Sequence, residues 1–105
     1  MENNSIVAEK SFAFSIRIVR LFQYLQRDHK EFVLSKQILK SGTSIGANIE
    51  EALGGYSSKD FAAKMGIAYK EARETKYWLR LLFATEYISE KEFNSLHNDA
   101  DQIAR

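Results

Sequence analysis

At 105 residues, with 15 Lys plus Arg against 14 Asp plus Glu and a net charge of +1, the chain can build one domain around one core. The near-neutral balance excludes a global attraction to nucleic acid or anionic lipid, so any such binding must come from local clusters. Cysteine is absent, which excludes disulfides and thiolate sites and fits a cytoplasmic location. Proline is absent too and glycine numbers five, so residues 1–105 read as a single all-α domain.

The first predicted helix runs from about Ser5 to Asp28. Its start has neither a basic leader nor a cleavage site, and Glu9, Lys10, Arg17 and Arg20 interrupt its apolar positions. It is neither a signal peptide nor a membrane span. Val7, Phe14, Ile18, Leu21 and Leu25 form one apolar stripe, while Phe12, Ile16 and Val19 lie on a different face. A monomeric bundle needs only one such stripe, so the second face predicts contact with another subunit. Arg17, Arg20, Tyr24 and Arg27 follow each other at steps of 3, 4 and 3 and make a basic edge. A solvated face and a phosphate-binding edge are both compatible with that spacing.

After the charged turn Arg27–Glu31, a second helix is predicted from Ser35, as its N-cap, to Leu53. Gly54 and Gly55 are expected to end it in the left-handed conformation. Ile38, Gly42, Ile45, Ile49 and Ala52 form its seam. Beside them run Gln37, Ser41, Ser44, Asn48 and Glu51, a polar stripe whose small and amide groups suit a joint between packed helices. Gly42 and Gly46 each cost the helix about 1 kcal/mol relative to alanine, which predicts close approach of a neighbouring backbone.

A third helix opens with Ser57 and Asp60 in capping-box positions and runs to about Glu86. Its seam is Phe61, Met65, Ala68, Ala72, Thr75, Leu79 and Leu82. Ile67, Trp78 and Leu81 share another face with Glu71 and Glu74. These apolar residues again exceed what one core can cover, and they are a second candidate subunit contact. Lys70, Arg73, Tyr77 and Arg80 make an outward stripe of cations around an aromatic ring. Such a stripe can hold phosphates and stack on a base, or simply form a salt-bridged solvent face.

Ser89 and Glu92 give a capping-box pattern for a short last helix carrying Phe93, Leu96, Ala100 and Ile103. Four helices with short connections imply an antiparallel up-down-up-down four-helix bundle. His29 and His97 have no companion at ligand spacing, and Glu-x-x-His does not occur. GTSIGA lacks the frame of a phosphate loop. No metal, cofactor or catalytic group is expected, and the chain does not read as an enzyme.

The stretch SKQILKSGTSIGANIEEA, followed by SSKDFAAKMGIAYKEARETKYWLRLLFATEYI, resembles the bacterial four-helix-bundle family that includes proteins encoded by intervening sequences in 23S rRNA genes. Ser41, Ser44, Ile45, Asn48, Ile49 and Glu51 match its S-x-x-S-I-x-x-N-I-x-E core. Lys70-Glu71-Ala72, Glu74-Thr75 and Tyr77-Trp78-Leu79 match a K-E-A-x-E-T-x-Y-W-L segment of one of its branches. Ala52 and Glu50 depart from the common pattern. The resemblance implies a ring-shaped homopentamer. More distantly the chain is similar to accessory proteins of diversity-generating retroelements, pentamers that bind nucleic acid. The expectation is a homo-oligomer binding RNA or DNA through Arg17, Arg20 and Arg27 with Lys70, Arg73 and Arg80, and more weakly through Lys36 and Lys40. The alternative is a protein-interaction or assembly scaffold that binds no nucleic acid.

Overall fold

The computed structural model describes residues 2–104. Four helices follow in order: α1 (Glu2–His29), α2 (Leu34–Leu53), α3 (Ser58–Ala84) and α4 (Glu90–Ile103). Each packs on its neighbours in sequence and α4 closes back on α1, with no diagonal pairing among the described residues. This is the up-down four-helix bundle that the seams imply. The core is the predicted one: Phe14, Ile18, Leu21 and Leu25 of α1 meet Ile38, Ile45 and Ile49 of α2, Ala72, Leu79 and Leu82 of α3, and Leu96 and Ala100 of α4.

Helix lengths decide where the fourth wall is missing. At 1.5 Å per residue the 28 residues of α1 span about 42 Å, whereas the 14 of α4 span about 21 Å. α4 therefore lines only half of a molecule 44 Å long. Its final turns reach Lys76, whose Nζ lies 3.2 Å from Asp101 Oδ1. The end of α4, at Ile103 and Ala104, lies beside Met65 and Ala68, and Phe61, four residues before Met65, falls about one turn beyond it. Phe61, expected in the seam, is consequently 36% exposed, and Met65 is only partly covered.

The helix ends correct two further expectations. Ser35 does not cap α2. The N-cap position is Val33, and the Glu31 carboxylate reaches over it to accept from the amides of Val33, Leu34 and Ser35 at 3.3, 3.1 and 2.8 Å. The Ser35 hydroxyl donates to the Glu31 carbonyl instead. One carboxylate thus satisfies three amides that the helix leaves without partners, and its charge complements the helix dipole. Gly54 is not left-handed either, with φ −93°. At Gly55 the Asp60 carboxylate occupies the space of a Cβ, and φ is not positive. Among the described residues the left-handed ones are Lys30 and Glu86, just beyond α1 and α3. At Glu86 the amides of Glu86 and Tyr87 return to the carbonyls of Phe83 and Leu82, at 3.0 and 2.9 Å.

The close backbone approach expected at the helical glycines is present at Gly46, where a Cβ would lie 3.3 Å from the Ser11 carbonyl oxygen of α1, whereas Gly42 makes room for a side chain. A Cβ on Gly42 would lie 2.8 Å from Ile18 Cγ1, inside the core, whereas a Cβ on Gly66 of α3 would meet nothing within 4 Å. The same substitution should therefore have opposite signs at the two sites. Gly66→Ala should stabilise the fold by about 1 kcal/mol through helix propensity alone. Gly42→Ala should destabilise it by about 1–2 kcal/mol, because overpacking against Ile18 outweighs that gain. Urea unfolding of both variants checks this, and equal shifts would refute the close packing.

Candidate functional site

The 3.6-residue period gives α1 and α3 two flanks each, and the partners of known residues fix which way each flank points. On α1, Arg17 Nη1 lies 2.6 Å from Asp99 Oδ2 of α4. Arg20 and Tyr24, three and seven positions on, line a cleft with Ser89, Glu92 and Leu96. Phe12 instead borders a groove with Thr43, Gly46 and Ala47 of α2. Phe12, at 65% exposure, continues through Ile16 and Val19, all exposed.

α3 repeats the arrangement. Lys76 pairs with Asp101 of α4, so the neighbouring ridge of Arg73, Tyr77 and Arg80, with Lys70, lies on the α4 side and is exposed. Lys64 pairs with Glu51 of α2 at 3.0 Å, and the charge of Lys40 acts on Glu71. Ile67, Glu71, Glu74, Trp78 and Leu81 therefore flank α2. Ile67 is exposed, whereas Trp78 and Leu81 are half-buried, and Trp78 packs on the core of its own subunit.

The outcome is a molecule with two characters. The side centred on α2 is bordered by apolar faces of α1 and α3, and the side centred on α4 by their basic stripes, with Arg20 at the boundary, since it lines both the α4 cleft and the groove of Phe12, Ile16 and Val19. No one helix pattern contains this segregation. The basic surface is not continuous: Glu90, Glu92, Asp99 and Asp101 make α4 acidic, and Arg17 is held by one of these carboxylates. Arg27 is paired with its neighbour Asp28 at 2.7 Å. Arg20, Lys70, Arg73 and Arg80 have no ion-pair partner among the described residues.

The polar stripe of α2 divides along its length. Ser41 is buried and its Oγ is 2.9 Å from Thr75 Oγ1, which also donates to the Glu71 carbonyl at 2.7 Å. Glu51 reaches Lys64, so Ser41 and Glu51 join α2 to α3. Asn48 Nδ2 stays within α2, donating to the Ser44 carbonyl and hydroxyl at 2.8 and 3.0 Å. Gln37 is exposed. Among buried side-chain polar atoms of the described residues, Trp78 Nε1 lacks a hydrogen-bond partner.

Loss of solvent, together with the charge of Glu74 and partly offset by Lys40, holds the Glu71 carboxyl above its ordinary value of 4.5. A raised carboxyl pKa means that the ionised form opposes folding. The penalty is present above the raised pKa and disappears as pH falls through it towards 4.5. Glu71→Gln should therefore raise the melting temperature at pH 7, with the gain vanishing near pH 4. A gain that persists unchanged in acid would contradict the assignment.

Three features were not read from the sequence. Tyr24 Oη lies 2.9 Å from His29 Nε2, and the His29 ring stands edge-on to Tyr87 with centroids 5.3 Å apart. The third is the acidic rail on each flank of α4, Asp99 facing α1 and Asp101 facing α3, which their placement on either side of the seam residue Ala100 could have signalled. No group of three or more His, Cys, Asp or Glu among the described residues could hold a metal ion. No helix among them is long and apolar enough to cross a membrane.

Comparison with protein families matches residues 3–105 to the 23S rRNA-intervening sequence protein model. The chain belongs to the 23S rRNA-intervening sequence protein family. Among solved structures it is similar to a protein of unknown function from the S23 ribosomal protein family of Bacteroides thetaiotaomicron. The two share 52% identity over 96% of this chain and 90% of that one, with a TM-score of 0.95. Comparison with curated proteins finds no match. The family match extends the likeness from the Ser35–Ile88 motifs to α1 and α4, the helices that bear Arg17, Arg20 and the acidic rail.

Proposed function

We propose that the protein is a non-enzymatic homo-oligomer, a pentameric ring, that carries RNA or DNA on its outer surface. The observation that supports this reading is the separation of apolar from basic flanks. Two different apolar faces on either side of α2 suit a head-to-tail contact, the α1 face of one copy against the α3 face of the next, and such contacts close into rings. α2 then faces inward and α4 outward, so the α3 stripe remains accessible and Arg20 lies at the edge of the α1 contact. The number five comes from the family resemblance.

Assembly also supplies the binding strength that one subunit lacks. Three unpaired cations on α3 hold a phosphate backbone weakly, but copies repeated around a ring bind with avidity. Carboxylates on both flanks of α4, Asp99 facing α1 and Asp101 facing α3, border the stripes, so the strand follows the stripes and avoids α4 itself. Filter binding to structured RNA over a salt series tests this: affinity should fall steeply as salt rises. Undetectable or salt-independent binding would reject the nucleic-acid role.

The second reading is an assembly scaffold that binds no nucleic acid. The same carboxylates favour it, because Asp99 and Asp101 occupy Arg17 and Lys76. An oligomer indifferent to RNA and DNA at low salt would select it.

A further inference from the structure

We infer that the cleft between α1 and the start of α4 takes one unpaired nucleotide, with its phosphate on Arg20, its base over an apolar floor and its exocyclic amine on Glu92. This rests on the nucleic-acid reading above and makes it specific. The cleft has a volume of about 420 Å³, within the range of roughly 300–1,000 Å³ typical of small-molecule sites. Leu21, Ile88 and Leu96 form the floor, α1 contributes the basic wall, and Glu92 stands on the α4 wall.

The charged groups narrow the choice of occupant. Arg17 is committed to Asp99, which leaves Arg20 as the cation that the cleft offers. The capping box at Ser89 is only half made. Ser89 Oγ accepts from the Glu92 amide at 3.1 Å, but the Glu92 carboxylate makes no return bond and has no partner among the described residues. A bare anion would meet that carboxylate across the cleft. A molecule with an anion at one end, a flat apolar body and N–H donors at the other suits all three surfaces. An unpaired nucleotide has these parts, and in a duplex its amine-bearing edge would already be used. Tyr24, fixed by its bond to His29, adds an aromatic wall that tolerates any base.

Glu92 makes the site selective. Cytosine, adenine and guanine present an exocyclic amine to a carboxylate, whereas uracil presents one ring N–H between two carbonyls that repel it. Fluorescence anisotropy with labelled oligocytidylate and oligouridylate of about 12 nucleotides tests the idea on the full chain. Wild type should bind the cytidylate at least about fivefold more tightly. Glu92→Gln should abolish that preference, and Arg20→Ala should weaken both ligands. Equal binding of the two by wild type, or a preference that survives Glu92→Gln, would overturn the cleft while leaving the stripes as a phosphate track. Failure to bind either oligonucleotide or structured RNA would overturn both readings.

Discussion

Ile16→Glu should convert the assembled protein into folded single subunits of 12.1 kDa. Ile16 lies between Phe12 and Val19 on the exposed face of α1, so a carboxylate there costs the isolated subunit little; exposed positions generally tolerate substitution within about 0.5 kcal/mol. In the ring the same carboxylate would be buried against the apolar flank of α3, and pairing it with Arg20, one turn on in the same groove, would bury that charge as well. Desolvating these charges costs several kcal/mol per ion, and the cost recurs at every subunit boundary. Light scattering should therefore report the subunit mass while the helical circular dichroism is unchanged. Trp78, the single tryptophan, gives a second readout from the opposing face. Its emission should shift to the red when the neighbour is lost. A variant that keeps the wild-type mass would remove the α1 face from the contact.

Joint replacement of Lys70, Arg73 and Arg80 by alanine should lower affinity for structured RNA at least about tenfold at low salt and flatten its salt dependence. Each phosphate contact contributes about 0.7 to 0.9 to the slope of log affinity against log salt. Three cations lost from every engaged subunit should thus reduce that slope by about 2 or more. All three side chains are exposed and unpaired among the described residues, so the fold and the oligomer should persist. This separates loss of contacts from loss of structure. An unchanged slope would place binding elsewhere, with the α1 stripe of Arg17, Arg20 and Arg27 next to be replaced.

The helices and their seams were legible because they depend on local periodicity and on caps within three or four residues. Ser57 and Ser89 accept from the amides of Asp60 and Glu92 as their spacing implies. The cap of α2 differs from the sequence expectation for a physical reason: Glu31 and Ser35 are both close enough to serve, and only the path of the chain after the left-handed Lys30 decides between them. Phe61 was misplaced because its cover depends on the length of α4, a property of a different segment. The basic and apolar stripes were each found on their own helix. Their sorting to opposite sides of the bundle depends on how α1 and α3 are rotated about the core, which single-helix patterns do not encode. Trp78 shows the same limit, since its half-buried ring serves its own subunit as well as the exposed face.

The ring, and the avidity that follows from it, require that identical subunits cover the apolar flanks of α1 and α3. The most direct test is the mass of the wild-type protein in solution, measured by size exclusion with light scattering across a range of concentrations. A ring gives one species at about five times the 12.1 kDa subunit mass, held together on dilution by contacts repeated around a closed circle. A protein that remains at the subunit mass at the highest concentration would contradict the ring.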